Sequence, residues 1–180
     1  MKQLILLLLC LHTSLSFAQR NVNEINVNFS LNEIALLNIE PSNTTVVLNL
    51  DAPNNPGEKA KIVAANNKKW INFSSAISEN SPPRNISIRI EDGSVPSGIH
   101  LKLMTSNYIG SGNGKLGSPE SVITLNNSSQ VIVSNIGGAF TGNGINNGYE
   151  LTYYLEIYDY KLLDINNSET LSISLTLTDF

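Results

Sequence analysis

The sequence predicts an all-β protein, a single antiparallel β-sandwich that follows a cleaved signal peptide. Three observations carry this expectation. Apolar residues recur with a period of two, turn residues interrupt the runs at short intervals, and no run shows the helical period.

The leader comes first. Residues 1–18, "MKQLILLLLCLHTSLSFA", carry one charge at Lys2, an apolar run from Leu4 to Leu11, and small residues leading to Ser16-Phe17-Ala18. This is the layout of a secretory signal peptide, and its apolar run is too short to stay as a membrane span. Cleavage after Ala18 leaves residues 19–180, 162 of the 180, enough for one domain with a real core. The expected destination is secretion, to a bacterial cell surface or the periplasm, with no membrane span in the mature chain. Cys10 departs with the leader; no disulfide framework then holds the exported domain, and packing must hold it instead.

The strands follow in order. "EINVNFSLN" sets Ile25, Val27, Phe29 and Leu31 against Asn26, Asn28, Ser30 and Asn32, the pattern of a half-buried strand. The alternation returns at Val46, Leu48 and Leu50, at Ile86, Ile88 and Ile90, and at Ile99, Leu101 and Leu103. It is longest in "YELTYYLEI" (Tyr149, Leu151, Tyr153, Leu155, Ile157) and "TLSISLTLT" (Leu171, Ile173, Leu175, Leu177). Less regular runs at 34–39, 70–77, 122–125 and 131–136 fit strands buried on both faces or bent by a bulge. Pro53 to Gly57, Pro82-Pro83, Asp92-Gly93, Pro96 to Gly98 and Asn-Gly at 113, 143 and 147 supply the turns. Roughly eight to ten strands are expected, with Leu151, Tyr153, Leu155, Ile173, Leu175 and Leu177 in the core and Trp70 as a core anchor.

Residues 112–117, "GNGKLG", match the dinucleotide fingerprint literally. That motif works at a strand-to-helix turn, where free N–H groups and the helix dipole hold a pyrophosphate. Here Ser-Pro-Glu-Ser and a β-type run follow, so a loop between strands is expected rather than a phosphate cradle. Calcium fits poorly as well, because no Asp lies between Asp92 and Asp159. No cofactor and no metal site is expected.

Removal of Lys2 shifts the formal charge from −4 to −5, and no basic cluster exceeds Lys68-Lys69. A nucleic-acid partner is therefore not expected. The mature chain keeps one histidine, His100, and no cysteine, which excludes Cys-His nucleophiles and the usual zinc sets. Glu150 and Glu156 share a strand face but stand about 20 Å apart at about 3.3 Å per residue, too far for a glycosidase pair. The chain is expected not to be an enzyme. Tyr154 and Tyr158 on that outer face are candidate glycan contacts, which makes a secreted carbohydrate-binding module the alternative function class.

The alternation at both termini resembles pilin-like subunits of chaperone-usher systems. These are incomplete immunoglobulin-like β-sandwiches in which an N-terminal strand of one subunit completes the next. "INVNFSL" is similar to such a donor strand, with Ile25, Val27, Phe29 and Leu31 as the donated side chains, and "LSISLTLTDF" to the final strand beside the acceptor groove. The likeness covers the two ends and the all-β character, and the disulfide common in those families is absent. The resemblance implies a non-enzymatic structural or adhesive surface subunit, a fimbrial type of cell-surface component. Its partners would be identical or related β-sandwich subunits and a periplasmic assembly chaperone.

Overall fold

The computed structural model describes residues 23–164 and 168–178. The predicted leader 1–18 with Cys10, and the aromatic end at Phe180, lie outside the described residues. The strands are β1 (Ile34–Glu40), β2 (Val47–Asp51), β3 (Lys61–Ala65), β4 (Lys68–Ala76), β5 (Arg84–Asp92), β6 (Ile99–Thr105), β7 (Asn113–Gly114), β8 (Ser118–Pro119), β9 (Val122–Thr124), β10 (Gln130–Ile136), β11 (Ala139–Phe140), β12 (Tyr149–Ile157) and β13 (Ser172–Thr178). Among the described residues the helical content is one 3-10 turn, Tyr160–Leu162, and no helix is long and apolar enough to cross a membrane.

The chain divides into two units, Met1–Leu31 and Asn32–Phe180. In the described part of the first, the alternating segment is not a strand, contrary to the expectation for residues 25–31. Its apolar side chains Ile25, Val27, Phe29 and Leu31 are 86, 64, 86 and 94% exposed. A period of two marks a face that a sheet can bury; it does not supply the sheet.

The second unit holds three antiparallel sheets. In the larger, β4 lies between β1 on one edge and β12 and β11 on the other. Beyond them, β12 pairs with β6, β6 with β9, and β11 with β7. The four-stranded sheet runs β13-β5-β10-β8, and β2 and β3 form a separate hairpin.

One hydrophobic cluster joins the two main sheets. Ile71, Phe73, Leu101, Leu103, Tyr149, Leu151 and Tyr153 come from the larger, and Ile86, Ile88, Ile90, Ile132, Val133 and Ile136 from the smaller. The alternation of β5 is reinforced by its partner, with Ile86, Ile88 and Ile90 opposite Leu177, Leu175 and Ile173. Full burial of each such side chain stabilises by about 1.5 to 3 kcal/mol. Leu155, Ile173, Leu175 and Leu177 pack against the cluster but stay partly exposed; β13 is an edge strand, with β5 its one ladder partner among the described residues.

Two irregular runs behave as their composition suggests. β10 shifts register between Val131 and Val133 and again before Ile136, which lets the adjacent Ile132 and Val133 both be buried, with Asn135 in the left-handed region. β4 is buried on both faces because it is central: Ile71 and Phe73 enter the core, while Trp70, in register with Glu40 and Glu150, is buried on the opposite face. Trp70 is thus an anchor, though outside the main cluster.

Candidate functional site

A groove of about 850 Å³ opens on the second unit. Leu101, Tyr153 and Leu155 of the larger sheet form one wall, Ile173 and Leu175 of β13 another, and Leu48 of β2 the roof. These side chains reach it because their strands alternate, so that every second residue turns toward the groove. The free edge of β13 runs beside the groove, and its backbone groups on that side have no ladder partner among the described residues.

The roof is tied at both ends. Buried Lys69 of β4 aims its ammonium at the turn before β2, donating to Pro41 O at 2.6 Å, to Thr44 Oγ1 at 2.8 Å and to Thr44 O. On the other side Ala60 N donates to Tyr160 Oη at 2.9 Å. The hairpin needs such ties because two strands alone are marginal in water, and β3 is exposed along its whole length.

Burial pulls the Lys69 ammonium below its ordinary value of 10.5, with Glu40 opposing that shift. Between the lowered folded value and 10.5 the unfolded chain binds more protons, so this group makes stability rise with pH across that window. Lys69→Met is expected to flatten the rise, read as the wild-type minus variant difference in urea midpoints between about pH 8 and about pH 10.5. An unchanged slope would place the ammonium in water.

On the outer face of the larger sheet, Glu156 accepts from Lys102 Nζ at 3.0 Å and lies 3.6 Å from His100 Nδ1. Lys102 first, and His100 after it, hold the Glu156 carboxyl below the usual carboxylate range. The Tyr158 ring stacks on His100, centroids 4.2 Å apart and planes 17° from parallel. Tyr154 is in register with Lys102 on the same face. Tyr158, half exposed, therefore offers one ring face already occupied by His100. Glu150 has its own cation, Lys68 at 2.8 Å. The two glutamates are in separate ion pairs rather than a shared site.

The glycine fingerprint resolves into close packing of backbones. Asn113-Gly114 is not a hairpin turn, as the dipeptide suggests, but the short strand β7 against β11. A Cβ on Gly114 would stand 2.2 Å from Gly138 O, which explains the glycine without a ligand. No helix follows Gly117; the chain passes into β8. The second glycine-rich loop, 141–148, is held by Asn72, whose Nδ2 donates to Gly144 O at 3.2 Å and to Asn147 O at 2.5 Å, and whose Oδ1 accepts from Gly144 N at 2.7 Å.

Lys69 and Asn72 are polar residues whose burial no periodicity announces, since they sit in the mixed run "KKWINF". Compared with known proteins, the chain matches no family model, no curated protein and no solved structure.

Proposed function

We propose that the chain is a non-enzymatic, exported structural or adhesive surface subunit, an immunoglobulin-like sandwich that assembles by β-strand exchange. The observation that carries this reading is that one chain holds both an exposed alternating apolar segment and a groove beside a strand edge. Four alternating apolar side chains, Ile25, Val27, Phe29 and Leu31, are 64 to 94% exposed. The second unit has a groove with apolar walls from β6, β12 and β13 and with Asp51, Lys69, Asp164 and Glu169 elsewhere in its lining, beside an edge of β13 that has no ladder partner among the described residues. A strand added to that edge gains main-chain hydrogen bonds, and its alternate side chains enter the groove. Because donor and acceptor are different surfaces of one chain, the contact is head-to-tail and generates an open filament unless it closes on itself.

Removal of residues 24–31 tests the reading. The truncated mature chain is expected to be less stable than the intact one and to be rescued by a peptide of residues 24–31. The intact chain is expected to form concentration-dependent oligomers in size-exclusion chromatography and linear particles in electron microscopy. A monodisperse intact monomer, together with a truncated chain equally stable without peptide, would remove strand exchange.

A further inference from the structure

We propose that the slot between Leu36 and Phe140, on the outer face of the larger sheet, binds one ring of a neutral sugar. The slot is a cavity of about 400 Å³ on the side of β4 away from the core. It stands independently of strand exchange, since its lining comes from β1, β4, β11 and the loop after β11.

Register builds the walls. Leu36 and Phe140 are both in register with Ser74, one from each neighbouring strand. Both point away from the core and are 64 and 50% exposed. Each Cα is one strand spacing from Ser74, so the walls are separated by roughly 10 Å at the backbone. Ser74 is small and leaves the space between them open. With van der Waals contact at about 3.5 to 4 Å on either side, that width admits one ring in thickness.

The chemistry of the lining selects the ligand. It contains an aromatic and an aliphatic wall, the Ser74 hydroxyl on the floor, and the amides Asn38, Asn72 and Asn143 at the end. No charged side chain lines it. A pyranose matches each part: one C–H face meets the Phe140 ring, and the hydroxyl rim meets the Ser74 hydroxyl, the Asn143 amide and the part of the Asn38 amide not already on Glu40, while Asn72 stays with its loop. A purely apolar ligand would cover those polar groups without partners, at a cost.

The end wall is also set in advance. Asn72 is committed to the 141–148 loop, Asn147 Nδ2 donates to Asn143 O at 2.9 Å, and Asn147 Oδ1 accepts from Ser111 N at 3.2 Å. A wall fixed before binding loses little entropy when the ligand arrives.

The test uses the intact mature chain with cellohexaose, xylohexaose, mannohexaose and galactohexaose, followed by NMR line broadening and calorimetric titration. At least one is expected to bind at millimolar concentration or below. Phe140→Ala is expected to weaken binding by about tenfold or more, and Ser74→Trp, which fills the slot, to abolish it. Circular dichroism of both variants should match the parent, since the replaced side chains lie outside the core. Tyr154→Ala with Tyr158→Ala should leave binding unchanged. Absence of binding to all four sugars, binding indifferent to Phe140→Ala and Ser74→Trp, or binding lost instead in the tyrosine variant would each overturn the proposal. So would an oligomer of the parent that dissociates on Phe140→Ala, which would make the slot a protein contact.

Discussion

Gly148→Ala is expected to destabilise the second unit by on the order of 4 kcal/mol or more, a large part of the 5 to 15 kcal/mol typical of a domain. Gly148 precedes β12 at φ +96°, and a Cβ there would lie 1.9 Å from Ile71 O. The obstruction is backbone of the central strand β4, which cannot move without disturbing its own ladders. Gly148 also exchanges both backbone hydrogen bonds with Ile109, at 2.7 and 3.0 Å, so it cannot retreat. Gly144→Ala is the control: φ is +85° but nothing lies within 4 Å. It should lose only the left-handed penalty, about 1 to 2 kcal/mol. Urea unfolding followed by fluorescence of Trp70, the single tryptophan and a buried one, measures both. Equal losses would show that conformation alone, and not the approach to Ile71, makes Gly148 a glycine.

Arg84→Ala is expected to cost about 3 kcal/mol, and Arg84→Lys to recover only part of it. Arg84 opens β5 in the smaller sheet, is 2% exposed, and reaches across to the margin of the larger one. Its Nη1 donates to Ile34 O and to Ser75 Oγ at 3.3 Å, and its Nη2 lies 3.4 Å from Glu33 Oε2. A guanidinium serves several acceptors at once from a rigid fork, whereas an ammonium is a point charge.

Glu33 adds a pH signature. Hydrogen bonds from the Ser78 side chain and backbone and from Ser81, with Arg84 assisting, hold its carboxyl below the ordinary 4.5. A depressed carboxylate contributes stability that is present above the unfolded value and lost as pH falls through the folded one. Glu33→Gln should therefore lower stability modestly at neutral pH, where the carboxylate's contribution is present, and converge on the parent as pH falls below about pH 4.5, so that the variant shows a shallower acid destabilisation. An Arg84→Ala variant as stable as the parent would show that β1 needs no tie to the smaller sheet.

The central strands were readable one by one. Ile86, Ile88 and Ile90, or Tyr149, Leu151 and Tyr153, announce their buried face because side chains alternate across a pleat and only one face meets the core. The absence of a helix after Gly117 was readable for a similar reason: the residues that follow lack helical periodicity. β3 was not readable. All five of its residues are exposed, so burial leaves no alternation in the sequence.

Of the candidate residues, the sequence placed Tyr154 and Glu156 on one outer strand face, and the register of β12 against β6 adds His100, opposite Glu156. That Glu156 is paired with Lys102, and that Tyr158 lies on His100, depends on which strand became the neighbour.

The sequence by itself determined the all-β character and, along β5, β6 and β12, which side of each strand faces inward. Tertiary structure decided the rest: that β13 is an edge and so half-buried beside a groove, that Lys69 and Arg84 are enclosed, and that Leu36 and Phe140 stand either side of Ser74. The reason is that side-chain alternation is a local property of the chain. Strand neighbours, by contrast, are chosen by contacts between residues far apart in sequence, through the competition of whole sheets for one core.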